Sequence, residues 1–287
     1  MLDKLLLCVG AQKAGTSWLH KVLARSPEIE FSRYKEIHYF DMRAGLNNQL
    51  PMRILQGTAQ QFGYSREQFL QHLPVDEKTA IGSIKTLLDD QWYCAQFRQR
   101  SDYCADFTPE YAMLAEADFE GMAGIARQIK VIFIMRDPVE RSLSAFRYYH
   151  QNRGIDTQAM SNRKILRLLK SRLFAGRSDY PSVVDKLNRC FASDSVHYLF
   201  YENVMRDKPA ALAGICDFLE IAPIVLPEKE LNERVNTTVP HAFAQEIYQK
   251  LDSYYADDKQ VLAELFGELP RELSLIHILT LPTSCVQ

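Results

Sequence analysis

The chain alternates between continuous apolar runs and segments whose apolar residues recur at helical spacing. The apolar runs cover residues 4–9, 130–135 and 196–201. Helical patterns follow them at 17–25, after Pro138, and from Lys208 to Leu219. An unbroken apolar run is typical of a strand buried on both faces, and repeated strand-to-helix units build parallel sheets. The pattern therefore predicts an α/β fold with a central parallel sheet flanked by helices.

Further helical patterns lie between and beside these units, at residues 66–73, 89–100, 114–128 and 158–173. The last pattern carries a basic cluster formed by Arg163, Lys164, Arg167, Lys170 and Arg172. Such a charge run is usually a solvated helix face, and an anionic acceptor surface is the alternative. No internal repeat or low-complexity linker interrupts the chain, so we expect one domain over 1–271 and a tail of undefined structure over 272–287.

Composition and charge narrow the class of protein. Apolar residues make up 47% of the 287 and charged residues 24%, which is typical of a globular protein. With 34 basic against 36 acidic residues, a general nucleic-acid binder is disfavoured. The six cysteines form no C-x-x-C pair, which favours reduced thiols. No apolar run approaches the roughly 18 residues of a membrane span, so we expect a cytoplasmic protein without an integral membrane segment.

A glycine loop joins the first predicted strand to its helix. The loop reads Gly10-Ala-Gln-Lys-Ala-Gly-Thr16, and a strand-to-helix junction of this kind presents backbone N–H groups and a positive helix end to an anion. The nucleotide-triphosphate loop has the pattern G-x-x-x-x-G-K-[ST], with lysine after the second glycine. Here Thr16 follows Gly15, and the lysine lies inside the loop at Lys13. We therefore expect a P-loop-type sheet that binds phosphate or sulfate, with its lysine inside the loop rather than after the second glycine.

The second predicted strand also departs from the triphosphatase pattern. Those enzymes usually place an aspartate at a buried strand end to hold magnesium, whereas this strand ends at Arg136. Asp137 is placed to cap the following helix, which carries Arg141 and Ser144. An arginine at that position suits a phosphate clamp without metal, so we predict no metal ligands. The alternative is an Arg136 that only forms a surface ion pair.

Two segments resemble the signature motifs of sulfotransferases that use 3′-phosphoadenosine 5′-phosphosulfate (PAPS). They are Gln12-Lys-Ala-Gly-Thr-Ser-Trp-Leu19 and Arg136-Asp-Pro-Val-Glu-Arg-Ser-Leu-Ser-Ala-Phe146. The resemblance implies that Arg136 and Ser144 hold the 3′-phosphate of the nucleotide. It also implies that the 5′-phosphosulfate is held by Lys13, Ala14, Gly15, Thr16, Ser17 and Trp18. Weaker likeness, in Phe107-Thr-Pro-Glu-Tyr111 and around Tyr198 to Asn203, extends the match to roughly residues 5–267.

A third segment, Lys35-Glu-Ile-His-Tyr-Phe-Asp41, resembles the Glu-x-His-Phe-Phe-Asp run of heparan sulfate 3-O-sulfotransferases and related carbohydrate enzymes. The resemblance implies that Glu36 is the catalytic base, with His38 and Asp41 orienting the base or the acceptor. Read from the residues alone, the same three side chains could be the polar edge of a loop, with their hydrogen bonds made locally and no catalytic role. The glycosaminoglycan enzymes carry a lysine before Thr-Pro, where this chain has Phe107, which argues against an acidic polysaccharide acceptor.

The resulting hypothesis is a PAPS-dependent sulfotransferase that acts on a small-molecule or carbohydrate acceptor without metal. In it Lys13 stabilises the leaving oxygen, and Glu36 removes the acceptor proton, with His38 as a further catalytic candidate. One alternative is a P-loop nucleotide kinase or triphosphatase that requires magnesium and ATP. The other is a non-catalytic module that binds 3′-phosphoadenosine 5′-phosphate (PAP).

Overall fold

A computed structural model describes residues 1–98, 101–157, 159–233, 235 and 242–273. The strands are β1 Leu2–Gly10, β2 Ile29–Phe31, β3 Tyr103–Phe107, β4 Ala126–Met135 and β5 Val196–Phe200. The first eight helices are α1 Thr16–Leu23, α2 Tyr39–Arg43, α3 Gln49–Gln61, α4 Arg66–Gln71, α5 Glu77–Leu87, α6 Asp90–Cys94, α7 Glu116–Ala123 and α8 Pro138–Gln151. They are followed by α9 Asn162–Leu169, α10 Tyr180–Cys190, α11 Tyr201–Arg206, α12 Lys208–Leu219, α13 Glu228–Leu231, α14 Gln245–Tyr254 and α15 Ala256–Phe266. Short 3₁₀ turns cover Pro109–Met113, Ala175–Ser178 and Ser193–Ser195.

The five strands form one parallel sheet in the order β2-β3-β1-β4-β5. The central strand β1 pairs with β3 on one side, where Leu7 lies opposite Asp106, and with β4 on the other, where Leu7 lies opposite Val131. Residues Leu5 to Val9 are all buried, as the apolar run predicts for a strand covered on both faces. The predicted central parallel sheet flanked by helices is confirmed.

Some predicted boundaries are wrong. The helix predicted at 114–128 ends at Ala123, and residues from Ala126 onward belong to β4 because they pair with the start of β1. The third strand ends at Phe200, and Tyr201 already begins α11. Among the residues that the structure describes, the pattern at 89–100 forms a helix only over α6, and that at 158–173 only over α9. Nearly all of the predicted tail, 274–287, lies outside the described residues.

The basic cluster on and after α9 is exposed to solvent, while Ile165, Leu166 and Leu169 of the same helix are buried. This division matches a solvated helix face. No helix in the described ranges combines the length and apolar character that crossing a bilayer requires. The described cysteines are all free thiols, and Cys285 lies outside the described residues.

All five strands run in the same direction, so the segments that follow them meet at one edge of the sheet. The glycine loop follows β1, the Thr108-Pro109-Glu110 segment follows β3, and Arg136 follows β4. Ligands of open α/β sheets bind at this carboxyl edge. The residues singled out from the sequence therefore arrive on the same side of the molecule.

Candidate active site

The glycine loop is built from backbone conformations that favour glycine. Lys13 and Gly15 both have left-handed φ angles, 70° and 91°. A Cβ atom on Gly15 would also lie 3.0 Å from the Tyr201 ring, so a side chain there meets both backbone strain and a neighbour. Helix α1 begins directly after Gly15, which has no side chain to cap it. The first N–H groups of α1 can therefore donate to a bound anion.

Arg136 lies against this loop, as the sequence predicts. Its Nη1 donates a hydrogen bond to the carbonyl oxygen of Lys13 at 3.0 Å. The guanidinium carbon lies 4.7 Å from the centre of the Tyr201 ring, a cation–π distance. The loop after β1 and the residue that follows β4 thus meet at one place on the carboxyl edge of the sheet, which we call the cleft, with the Tyr201 ring beside Arg136.

Helix α8 adds a third cation to this cleft. Arg136 Nη2 and Arg147 Nη2 lie 3.7 Å and 3.9 Å from the same Glu140 oxygen. Lys13 Nζ lies 4.2 Å from the centre of the Tyr148 ring. Burial, followed by the charges of Arg136 and Arg147, lowers the pKa of Lys13. We call Lys13, Arg136 and Arg147 the cation cluster; their mutual repulsion would be relieved by a bound anion.

Four of the other predicted nucleotide residues lie in the loop or beside the cation cluster. Ala14 and Thr16 are buried in the loop and the first turn of α1, and Ser17 Oγ accepts a hydrogen bond from Lys35 Nζ at 3.1 Å. Ser144 lies on α8 one turn after Glu140 and one turn before Arg147, which places it on the helix face that carries both.

Trp18 and Arg141 direct their side chains elsewhere. The Trp18 ring is buried in the core, and its Nε1 donates to the carbonyl of Leu231 at 2.9 Å. Arg141, which lies on the same helix as Ser144, is completely buried and donates to the hydroxyls of Ser178 and Ser142. The Arg141 side chain therefore belongs to the packing beneath α8.

Asp137 acts as a helix cap, as the sequence predicts. Its Oδ1 accepts a hydrogen bond from the backbone N–H of Glu140 at 2.8 Å, in the first turn of α8. Its other oxygen lies 2.9 Å from Nζ of Lys259, which also lies 2.7 Å from Asp252. Burial alone would lower the pKa of Lys259, and the two aspartates raise it overall. Both oxygens of Asp137 are therefore engaged, one in capping α8 and the other in the ion pair with Lys259.

The Glu36-His38-Asp41 segment folds into a polar corner that precedes α2. Glu36 and His38 both have left-handed φ angles, 60° and 59°, and the side chain of Ile37 between them is fully buried. His38 Nδ1 lies 2.8 Å from Oδ2 of Asp41, and both side chains are at most 1% exposed. The other ring nitrogen, Nε2, lies 3.8 Å from Oε2 of Glu36. The histidine is therefore fixed between two carboxylates.

A second glutamate, from the segment after β3, joins this corner. Ligand atoms of Glu36, His38 and Glu110 all lie within 4.8 Å of one another, and we call these three residues the acidic cluster. Gln12 of the glycine loop donates to Oε1 of Glu110 at 2.8 Å. The same oxygen lies 3.9 Å from Nη2 of Arg177. Glu110 thus connects the acidic cluster to the loop that carries Lys13.

Burial and mutual charge shift the protonation of this cluster. Burial, and then the charge of Glu110, raise the pKa of Glu36. Burial alone would lower the pKa of His38, but the hydrogen bond and the charge of Asp41 raise it overall. A glutamate with a raised pKa is a stronger proton acceptor than an ordinary surface carboxylate.

The aromatic residues around the two clusters divide between the core and the cleft. Tyr39, Phe40 and Tyr93 are buried, with ring centres 5.0 to 5.1 Å apart. Tyr148 is 42% exposed and faces Lys13. Phe107, at the position where the glycosaminoglycan enzymes carry lysine, is buried with its ring centre 5.2 Å from that of Phe31.

Sequence reasoning gave no role to Arg147, Glu110, Gln12 or Tyr201. Arg147 follows Glu140 at a spacing of seven, so the helical period of α8 is a signal that could have found it. Glu110 follows the buried strand β3 directly, which is a second available signal. The contacts of Gln12 and Tyr201 depend on how distant loops meet and have no local signature.

Comparisons with known proteins fit this geometry. A family model described as the sulfotransferase family matches residues 6–224. A solved sulfotransferase from Alicyclobacillus acidocaldarius is 16% identical and aligns over 95% of this chain and 99% of its own, with a TM-score of 0.62. A mouse sulfotransferase complexed with PAP is also 16% identical, over 90% of this chain and 85% of its own, with a TM-score of 0.48. No curated protein matches the chain.

These findings carry different weight. At 16% identity the Alicyclobacillus structure shows a shared fold, which agrees with the parallel sheet and its glycine loop. The family model covers most of the chain, including the loop of Lys13, the acidic cluster and the end of β4. The chain therefore belongs to the sulfotransferase family.

Proposed function

We propose that this protein transfers a sulfuryl group from PAPS to a hydroxyl or amine of an acceptor. The proposal depends on one observation above all. The cation cluster and the acidic cluster lie at the same sheet edge and are joined through Gln12 and Glu110 of the adjoining loops. One side of the cleft suits an anionic donor, and the other suits a group that gives up a proton.

The donor is assigned to the cation cluster and the glycine loop. The loop N–H groups and Lys13 would receive the 5′-phosphosulfate, and Arg136 with Ser144 would receive the 3′-phosphate. Support comes from the hydrogen bond between Arg136 and the Lys13 carbonyl, and from the place of Ser144 on the same face of α8. Arg147 adds a charge that the resemblance alone does not assign.

The reaction is an in-line displacement at sulfur. The acceptor oxygen or nitrogen attacks the sulfur, and the bond from sulfur to the bridging phosphate oxygen breaks. PAP leaves with the electron pair, and the acceptor proton passes to Glu36. Lys13 stabilises the charge that develops on the bridging oxygen, which is the usual task of a fixed cation in group transfer.

Within the acidic cluster we assign Glu36 as the base and His38 as a residue that positions it. Glu36 is partly exposed, with 37% of its side chain accessible, whereas His38 is buried and held by Asp41. The accessible carboxylate can reach an acceptor, and the buried imidazole orients that carboxylate. A direct catalytic part for His38 stays an alternative within the same mechanism.

The acceptor we propose is a small molecule or a carbohydrate without dense negative charge. Phe107 is buried against Phe31 where the glycosaminoglycan enzymes carry a lysine, and Glu36 and Glu110 add negative charge to the acceptor side. Two carboxylates within reach of the attacking group would repel an anionic polymer. The resemblance to the carbohydrate enzymes thus extends to the segment that carries the proposed base, and not to a negatively charged acceptor.

The test is a transfer reaction with PAPS and a library of phenols, alcohols, amines and neutral sugars, analysed by mass spectrometry with EDTA present. We expect sulfated products and PAP. Transfer only with ATP and magnesium would favour a kinase instead. Tight PAP binding without product across the library would favour a binding module.

A further inference from the structure

The acidic cluster has features that its part in proton transfer does not require. Its three side chains come from two distant segments, and a basic nitrogen and two carboxylates face one another within 4.8 Å. These are ligand types that Zn²⁺ and similar transition metals take from proteins. Carboxylates alone do not indicate a zinc site, so the contacts of the two ring nitrogens of His38 are the decisive observation.

His38 is arranged in the way of a metal-binding histidine. Its Nε2 is buried and has no hydrogen-bond partner among the described residues, while the residue as a whole is 1% exposed. Its Nδ1 lies 2.8 Å from the buried carboxylate of Asp41, which is also contacted by Asn47. Metal-binding histidines commonly direct the second ring nitrogen to a carboxylate in this way, which fixes the ring and makes the free nitrogen a stronger ligand.

The two carboxylates are held by the loops that carry them. Glu36 has a left-handed φ angle, and its carbonyl oxygen accepts a hydrogen bond from Arg53. Glu110 is 12% exposed, and both Gln12 and Arg177 approach its Oε1, so neither contact engages the second oxygen. Each carboxylate can therefore offer an oxygen to a shared ion.

The distances are close to those that zinc requires. Bonds of about 2.0 to 2.2 Å in a tetrahedral site put neighbouring ligand atoms about 3.4 Å apart. The Nε2 of His38 and the Oε2 of Glu36 lie 3.8 Å apart, and all three ligand atoms lie within 4.8 Å. Closing the remaining gap needs movement of the Glu36 and Glu110 side chains. A fourth position would be left to water.

We propose that Glu36, His38 and Glu110 bind one Zn²⁺ ion, and that the bound ion inhibits transfer. Inhibition follows because zinc would occupy the Glu36 oxygens that receive the acceptor proton. This second clause rests on the proposed function, whereas the binding clause rests on the three side chains alone. The metal-free protein is the active form in this proposal.

Binding is tested by isothermal titration of Zn²⁺ into the metal-free protein without a histidine tag. We expect one ion per chain. Glu110→Gln and His38→Asn should each weaken binding at least tenfold, since each removes a ligand. Glu120→Gln, on an exposed position of α7, is the matched control and should bind as the parent does. Equal affinity in all four proteins would overturn the site.

Co²⁺ absorption and zinc-edge X-ray spectroscopy on the parent protein keep the test independent of the variants' folding. We expect the intense visible bands of a tetrahedral cobalt site, and a zinc shell with one imidazole nitrogen and oxygen donors. A shell dominated by sulfur would place the ion at the cysteines and refute the assignment.

Inhibition is measured separately, by transfer assays in zinc buffers of defined free concentration. We expect inhibition at the affinity found by titration, reversal by EDTA, and weaker inhibition of Glu110→Gln in proportion to its lost affinity. Binding at the cluster without inhibition would remove the base role of Glu36 while the site stands. If the protein transfers the sulfuryl group but binds no zinc at the acidic cluster, the zinc site is refuted while the proposed function stands.

Discussion

The two sides of the cleft hold their charges in different ways. Two members of the cation cluster rest on regular structure, since Arg136 directly follows a buried strand and Arg147 lies on the fourteen-residue helix α8, and only Lys13 lies in a loop. The acidic cluster rests on irregular backbone, where Glu36 and His38 both have left-handed φ angles. Binding a nucleotide needs a fixed array of donors, whereas accepting a proton needs one carboxylate aimed at a variable substrate.

The largest expected effect separates these two sides. Glu36→Gln keeps the size of the side chain and removes its basicity, so kcat should fall by about 10²- to 10⁴-fold, the usual contribution of a general base. Donor binding should stay within about twofold, because Glu36 belongs to the acidic cluster and the donor to the cation cluster. PAP titration and single-turnover transfer measure the two quantities. Equal loss of donor binding would show that the two sides are not separable, and Glu120→Gln serves as control.

Lys13→Ala tests the donor side. The change removes the cation assigned to the leaving oxygen, so kcat should fall by about 10²- to 10³-fold, as for the loss of one fixed donor in a transition state. Lys21→Ala is the matched control on α1, where Lys21 forms an ion pair with Glu233 at the surface. A Lys13→Ala enzyme with normal kcat and weaker PAPS binding would assign the lysine to binding alone.

Arg147→Ala tests whether the third member of the cation cluster contributes to donor binding. One charge-assisted contact contributes roughly 1.5 to 3 kcal/mol, so PAP should bind about tenfold or more weakly. The dependence of affinity on salt concentration should also become shallower. Arg153→Ala, six residues further on and beyond the end of α8, provides the control, since its guanidinium carbon lies 3.7 Å from the centre of the Tyr149 ring. An unchanged dissociation constant would limit the donor site to Lys13 and Arg136.

The smallest expected effect concerns the backbone of the glycine loop. Gly15→Ala forces a side chain into a φ of 91° and against Tyr201, so unfolding free energy should fall by about 1 to 3 kcal/mol. Gly57→Ala, inside α3 with nothing within 4 Å of the new methyl group, should gain about 0.5 to 1 kcal/mol. Urea unfolding measures both. A neutral Gly15→Ala would mean that the loop adapts.

The same contrast decides how much could be read from the sequence. The framework of the proposed donor side could be predicted because β1 and β4 are contiguous apolar runs and the glycine loop is a local turn. Strand β3 was missed because the buried Asp106 interrupts its apolar pattern. That carboxylate is satisfied by the hydroxyls of Tyr93, Thr108 and Tyr111, which only the folded chain brings together.

The acceptor side could be predicted only in part, for a related reason. Glu36, His38 and Asp41 lie within six residues, so their motif was visible. Glu110 lies 74 residues further on, and its approach to Glu36 depends on the pairing of β2 with β3. A second carboxylate beside the proposed base is therefore a property of the sheet order, which single-sequence patterns do not encode.

The buried ion network around Lys259 ties the far end of the chain to the nucleotide side. Lys259 lies on α15, and its ammonium group neutralises the aspartate that caps α8 immediately after Arg136. Without that ammonium, Asp137 would be a nearly buried charge with its nearest counter-ion removed, a costly state that favours protonation of the carboxylate or a shift of the first turn of α8. The direction of Arg136 is thus set partly by a residue 123 positions later, whose ion pairs are with Asp137 and Asp252.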